Sequence, residues 1–401
     1  MPRAIVSVTN DLSTDNRVHR TCMVLMELGY DVLLIGRKLP RSLPIDRPYR
    51  THRMKLLFNK GALFYAEYNL RLFLYLIFTP SNGGRRREAQ RRSLIVANDL
   101  DTLLAGHLAA SIRKMELIYD SHEYFTEVPE LAGRSARKVW LAIERWIFPK
   151  LRHVITVNES IANAYRQRYP YVTLSPSKGH REAVRRAHRD SYPIHVIRNI
   201  PMYRELGPPG TRRELGLPED KFILILQGSG INVQRGGEEA VMAMADLPEA
   251  FLLIVGGGDA WPVLQQMIAK QHLQDRVRLL DRMPYVEMMR YTRNADLGLS
   301  LDKDTNLNYR FSLPNKLFDY FRAHIPVLAT DLPEVAAIVR RYDAGIIIPR
   351  PDPQLIAQQV KELISDPQRR RTLRQNAIFA ADSLDGDREK EALKAVFQRL
   401  G

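Results

Sequence analysis

A histidine set among carboxylates, Asp120-Ser121-His122-Glu123, directly follows the apolar run Leu117–Tyr119. An imidazole there can hydrogen-bond a developing charge or hold a hydroxyl in place, with Glu123 beside it. In the second half, Phe222–Gln227 runs into GSGINVQRGGEEAV, which offers Gly228, Gly230 and Gly236 for close backbone approach and Arg235 just before a helix opening near Gly237. Free backbone N–H groups, a positive helix end and a guanidinium fork together suit a phosphate. The competing reading is a tight strand-to-helix turn with no ligand. A third opening is Leu313-Pro314-Asn315-Lys316-Leu317-Phe318-Asp319-Tyr320, in which Pro314 suits the first helical turn. Lys316 and Asp319, three residues apart on a helix, share a face, so the ammonium is available to phosphate and the carboxylate to sugar hydroxyls. The alternative is a surface ion pair of little energy.

Two Asp-x-Asp patterns, Asp99-Leu100-Asp101 and Asp302-Lys303-Asp304, have the spacing to hold a divalent cation against a diphosphate. The expectation here is that they do not. Asp101 falls where a helix begins and is expected to be its N-cap, while Asp302 and Asp304 lie in a loop with Lys303 between them. No residue is assigned to a metal.

The elements that must position these groups alternate between short β-branched runs and helical patterns. Ala4–Val8, a helix from Asn16 to Leu28 stopped by Gly29, and Asp31–Ile35 form a βαβ unit. Strands near Leu94–Ala97, Glu116–Tyr119, His153–Val157 and Ile194–Ile197 extend it into a doubly wound sheet. Proline and glycine crowd the stretch between Pro201 and Pro218, which is expected to be a linker. Beyond it, Phe222–Gln227, Phe251–Val255, Val277–Leu279, Leu297–Leu301, Val327–Ala329 and Gly345–Ile348 predict a second doubly wound domain. The final helix, near Glu389 to Leu400, is expected to return to the first domain, and residues 172–192 to form a basic insert. Ligands of such sheets bind beyond the carboxyl ends of the strands, where every group named above falls. The loop holding Asp15, Asn16 and Arg17 belongs to the same edge and is placed to close over a ligand.

A chain of 401 residues with 45% apolar and 26% charged residues suits two folded α/β domains. One cysteine, Cys22, excludes an intramolecular disulfide, and the start at Met1-Pro2-Arg3 runs straight into a strand, so a cytoplasmic protein is expected. The net charge of +15 is uneven: residues 1–200 hold 33 Lys and Arg against 18 Asp and Glu, and residues 201–401 hold 27 against 27. Clusters at Arg85 to Arg92, Arg134 to Arg152 and Lys178 to Arg189 imply an anionic surface as partner, or else simply solvated helices. The segment Leu63–Phe78 is the most apolar in the chain but is interrupted by Glu67, Asn69 and Arg71 and is too short to span a bilayer, for which about 20 residues are needed. It suits either an interfacial helix, which would put the protein peripherally on the inner membrane, or an ordinary core helix. Aromatic residues do not interleave the basic runs and no nucleic-acid reading module is present, so nucleic acid is not expected as a partner.

Taken together, NDLSTDNRVHR, ANDLDTLLAGH, YDSHEYFTEVPEL, VITVNESIA, VIRNIP, GSGINVQRGG, LLIVGGGD and PNKLFDYFRAHIPVLATD resemble the retaining glycosyltransferases of family 4, which have the GT-B fold. That resemblance implies two Rossmann-like domains facing across a cleft: residues 1–200 for a glycan or lipid-linked acceptor, and residues 201–401 for a UDP-sugar or GDP-sugar. It implies hexosyl transfer in bacterial glycan assembly, with no cofactor and no metal. His122 matches the family's cleft histidine. Arg235 and Lys316 match the basic residues holding the donor diphosphate, with Pro314 and Asn315 beside them. Asp319 matches the second acid of the Glu-x7-Glu signature, which contacts the ribose. The first acid of that signature falls on Phe311, and the arginine often found five residues before Arg235 is Gly230. Two other readings stay open: a sugar-nucleotide 2-epimerase of the same fold, and a catalytically impaired scaffold on the membrane surface.

Overall fold

The strand β1 (Arg3–Ser7) is buried along its whole length. Ala4 and Val6 enter one apolar core and Ile5 another, as period-2 alternation demands of a strand covered on both faces. The computed structural model describes residues 1–13, 15–40, 42–79, 93–170, 194–202, 205–228 and 230–399. The basic runs at 85–92 and 178–189 and the insert expected at 172–192 lie outside the described residues.

Residues Met1–Asn199 together with Asp387–Gly401 form one compact unit, and Ile200–Gly386 a second. In the first unit, β1 lies between β2 (Asp31–Lys38) and β4 (Leu94–Asn98). The full order is β3-β2-β1-β4-β5-β6-β7, with β3 at Arg50–Lys55, β5 at Glu116–Ser121, β6 at His153–Thr156 and β7 at Ile194–Val196. Every pair is parallel. Helix α1 (Asn16–Glu27) packs Val18, Cys22 and Leu25 on one face of the sheet, where α14 (Gly386–Gln398) adds Leu393, Val396 and Phe397. Lys390 of α14 is also 2.6 Å from Glu27. The other face takes Phe64, Tyr68, Leu72 and Leu76 of α2 (Gly61–Phe78), with Ala105 and Ala109 of α3 (Leu100–Arg113). The strand β3 has no counterpart in the sequence reading: RTHRMK carries no apolar alternation because it is the edge strand, with Arg50, Thr51 and Lys55 exposed.

The second unit has the parallel order β10-β9-β8-β11-β12-β13, with β8 at Phe222–Gly228, β9 at Ala250–Gly256, β10 at Val277–Leu280, β11 at Leu297–Ser300, β12 at Val327–Thr330 and β13 at Gly345–Ile348. Two apolar cores cover its faces. In both sheets the chain winds outward from one central strand and then returns to that strand's other side: β1 sits between β2 and β4, and β8 between β9 and β11. The order reverses there, so the loops after β1 and β4, and those after β8 and β11, diverge and leave room for a ligand. Among the described residues no helix is long and apolar enough to cross a membrane.

Candidate functional site

At the switch point of the second unit, the loop after β8 carries Arg235 and the loop after β11 carries Asp302. The two meet at 2.7 Å, and the other oxygen of Asp302 lies 3.1 Å from the Lys316 ammonium. Asp302 is 1% exposed. Burial alone would raise its carboxyl, but Lys316 and Arg235 outweigh that and hold it below the ordinary carboxylate range. Burial works against the Arg235 cation too, and Asp302 more than restores it. The Arg235 guanidinium carbon also lies over the Tyr309 ring, 4.3 Å from its centre, a cation–π contact that helps hold the side chain in place. Two cations this close and this dry would repel one another, and the shared carboxylate is what lets them converge.

The backbone supports this arrangement. Gly236 has φ +79°, and a Cβ on it would fall 2.3 Å from the Leu301 Cβ and 2.4 Å from the Leu301 oxygen, so only glycine lets the two loops touch. Gly228 and Gly230 are under no such constraint, since a Cβ on either would meet only ordinary contacts. Gln234, itself at φ +74°, binds the facing loop through its oxygen to the Lys303 N–H and through its side chain to the Thr305 hydroxyl. The helix after this turn, α6 (Gly237–Ala243), is short. Helix α10 begins at Asn315 and runs to Arg322, with Pro314 as its N-cap, one position earlier than the first helical turn expected for it. No side chain caps that end, so the first N–H groups of α10 beside Lys316 remain available to an anion.

Lys316 and Asp319 do not act as one pair. Lys316 turns to Asp302, while Asp319 is 7% exposed and accepts hydrogen bonds from Gln227 at 3.2 Å and Tyr285 at 2.9 Å. Gln227, the last buried residue of β8, in turn accepts the Thr292 hydroxyl at 2.6 Å. Of the pattern Asp302-Lys303-Asp304, only Asp302 enters the site. Lys303 pairs with Glu239 at 2.6 Å and Asp304 with Arg310 at the surface. Sequence reasoning passed over Asp302, Gln227 and Tyr285. The position of Asp302 two residues beyond a strand at the switch point was a signal for it, but Gln227 and Tyr285 look like ordinary strand and helix residues.

In the first unit, His122 follows β5 directly. Its N–H donates to Asp99 at 2.8 Å, and its ring lies 3.0 Å from the Asn98 amide oxygen, 3.4 Å from Asp120 and 3.5 Å from Asp99. Burial alone would lower the imidazole, but Asp99 and then Asp120 outweigh it and push it up to about 9, so it is an imidazolium at neutral pH. Asp120 is buried between this ring and Arg17, and the two cations hold its carboxyl well below the usual range.

The loop expected to close over a ligand has instead a structural role at two positions. Asp15 caps α1 through the Val18 N–H and accepts from Asn10. Arg17 is turned inward, 5% exposed, bonding Asp120 at 2.5 Å and the Ile197 carbonyl at 2.8 Å. Asn16 is exposed at the start of α1, and Glu123 is half-buried after His122. Asp101 is not an N-cap. Helix α3 starts two residues earlier than an Asp101 cap implies, Asp99 occupies the cap position, and Asp101 lies buried in the first turn.

Comparison with known proteins agrees with this architecture. Residues 210–378 match the model of glycosyl transferases group 1, and residues 14–173 that of the glycosyl transferase 4-like domain. A D-inositol 3-phosphate glycosyltransferase of Thermobispora bispora is 28% identical over 193 residues, 45% of this chain and 44% of that protein. The chain spans about half or less of the length of the curated relatives it matches. Among solved structures, sucrose-phosphate synthase from Thermosynechococcus elongatus superposes with a TM-score of 0.73 at 17% identity, covering 100% of this chain and 99% of that one. HepE of Anabaena in complex with UDP-glucose gives 0.65 at 15% identity and covers both chains in full. Two Rossmann-like sheets, each with its charged groups at a strand-order reversal, and the two matched models together place this chain in glycosyltransferase family 4, with the GT-B fold.

Proposed function

We propose that the protein is a retaining glycosyltransferase that takes a hexosyl group from a UDP-sugar or GDP-sugar and transfers it to a glycan or lipid-linked acceptor. The observation that carries this reading is the Arg235–Asp302–Lys316 constellation at the switch point of the second unit. Arg235, Lys316 and the uncapped start of α10 are the donors suited to a diphosphate, and Asp319 on the same helix, held by Gln227 and Tyr285, is proposed to meet the ribose. A solved structure of the same fold holding UDP-glucose supports a nucleotide-sugar donor.

In the proposed reaction the bond from the anomeric carbon to the diphosphate oxygen breaks, and the acceptor oxygen forms a bond to that carbon on the same face. The acceptor proton passes to the departing diphosphate. The chain's own task is to stabilise that leaving charge and hold the reactants, which needs Arg235 and Lys316 but no metal. His122, as an imidazolium donor in the first unit, is proposed to hold the transferred sugar, with Glu123 and Asn16 toward the acceptor. An anionic membrane surface is the proposed location of the acceptor. Its support is the excess of basic residues in the first half and the apolar stripe that α2 leaves exposed.

A thermal-shift screen of UDP- and GDP-sugars against the whole protein, followed by proton NMR of the product formed from the stabilising donor, tests this. The expected result is that one donor raises the melting temperature and its sugar is transferred with the anomeric configuration kept. Inversion at that carbon, or no sugar nucleotide bound, rejects it.

A further inference from the structure

Asp319 sits in α10 among Leu317, Phe318, Tyr320 and Phe321, all of them buried. A carboxyl group in such surroundings has to be hydrogen-bonded, and the donors that meet it fix where it points. One oxygen, Oδ1, accepts the Tyr285 hydroxyl at 2.9 Å, and the other, Oδ2, accepts the Gln227 amide at 3.2 Å. Tyr285 is the first residue of α8 (Tyr285–Thr292), and the last residue of that helix, Thr292, is 2.6 Å from the Gln227 amide oxygen. One short helix therefore holds both oxygens of the carboxyl group, directly at its start and through Gln227 of β8 at its end.

The direction of each bond follows from what its neighbours can donate. Turning the Gln227 amide over would set two oxygens 3.2 Å apart, so its nitrogen faces Asp319 and its oxygen takes the Thr292 hydrogen. The Met288 carbonyl, 3.1 Å from the same hydroxyl, is the longer alternative. At Tyr285 the Arg322 guanidinium of α10 lies beside the oxygen and can only donate, which leaves the hydroxyl hydrogen to Asp319. Arg322 also donates to the Met202 carbonyl at 2.9 Å. The frame is closely packed: Met289 of α8 is fully buried in the same apolar core as Leu317, Phe318, Tyr320 and Phe321. An ionised carboxylate has about four acceptor sites, so the two bonds aim it without using up what it can offer a ligand.

We propose that Tyr285 is a positioning residue of the donor site. Its hydroxyl, with Thr292 acting through Gln227, aims the Asp319 carboxylate at the ribose, so that α8 sets how strongly the protein prefers a ribonucleotide to a deoxyribonucleotide. This rests on the reading of Asp319 as the ribose contact and adds the element that orients it. Lys316 and Arg235 meet Asp302 and not Asp319, so the grip on the diphosphate should survive loss of the Tyr285 hydroxyl.

Calorimetric titration of the full-length protein with UDP and GDP, and with the 2′-deoxy and 3′-deoxy forms of whichever binds, tests the proposal in wild type, Tyr285→Phe and Thr292→Val. Both substitutions keep the shape of the side chain and remove one hydroxyl. The expected result is that wild type binds the ribonucleotide roughly tenfold tighter than at least one deoxy form, the size of one hydrogen bond to a charged group. Tyr285→Phe should lose most of that preference and Thr292→Val part of it, with affinity for the deoxy form little changed in both. A preference kept in Tyr285→Phe, or affinity lost equally for the ribonucleotide and the deoxy form, overturns the proposal. Should Tyr285→Phe not fold, an unchanged preference in Thr292→Val overturns it. Wild-type binding with no preference for the ribonucleotide also overturns it and leaves the diphosphate assignment standing, whereas no binding of either nucleotide rejects the donor reading as a whole.

Discussion

Asp302 and His122 show how one buried charge sets the state of its neighbours. Asp302 gathers two cations that would otherwise repel, so the groups proposed to meet a diphosphate are already converged before any ligand arrives. His122 is the opposite case, one cation held by two carboxylates. Its folded value of about 9 lies above the ordinary 6.5 of an unfolded histidine. The stability it contributes is therefore complete below about pH 6.5 and is lost as pH rises through about 9. On the order of 3 kcal/mol is linked to that proton. Proton–nitrogen correlation spectra recorded from pH 5 to pH 10 should show the His122 ring titrating near 9 and shifting downward in Asp99→Asn. A midpoint near 6.5 in the wild type would contradict the ion pairs described here.

At the level of elements, α2 is apolar on nearly every side. Phe64, Tyr68, Leu72 and Leu76 are in the core, while Leu63, Leu70, Leu74 and Phe78 form an exposed stripe, from 42 to 76% accessible. An exposed helix is normally polar on its outer face, and this apolar stripe is the part of α2 that the proposed membrane contact would cover. Neighbouring α3 and α4 (Ser135–Ile147) expose Ile112, Val139 and Trp146, with Lys150 over the Trp146 ring. Both readings of Leu63–Phe78 drawn from the sequence thus have a face of the helix to rest on. The full-length protein should sediment with vesicles containing phosphatidylglycerol, less so at high salt, and should be released when Leu70, Leu74 and Phe78 are changed together to Ser. These side chains are exposed, so the fold should survive the change. Sedimentation indifferent both to the substitutions and to salt would remove the membrane from the proposal.

The elements also show what a sequence can and cannot reveal. Central strands such as β1, β4 and β8 are continuous apolar runs and could be located to within a residue or two, whereas the edge strand β3 has a polar sequence and was invisible. His122, Arg235 and Lys316 could be singled out because each follows a strand or opens a helix. Their partners could not, because the meeting of Asp302 with Arg235 spans 67 positions and depends on the order of strands in the sheet. Asp101 was misjudged by a two-residue difference in where a helix is capped, and that small error hid a buried carboxyl with one oxygen outside any hydrogen bond.

Across the whole molecule one device appears twice. Each sheet reverses its strand order once, and at each reversal the two diverging loops are joined through a buried aspartate, Asp101 with Thr9 in the first unit and Asp302 with Arg235 in the second. The two differ in charge state: burial and then the neighbouring Asp99 push Asp101 up to about 8, a neutral acid at neutral pH, whereas Lys316 and Arg235 hold Asp302 below the ordinary carboxylate range. The central claim is that the cationic site takes the diphosphate. Calorimetric titration of UDP and GDP into the full-length protein and into Arg235→Gln and Lys316→Gln tests it most directly, because glutamine removes the charge yet can still donate to Asp302. The account predicts binding of at least one nucleotide to the wild type and at least tenfold weaker binding, about 1.4 kcal/mol, in each variant, with melting temperatures little changed. Unaltered affinity in both variants, or no binding of either nucleotide to the wild type, would contradict it.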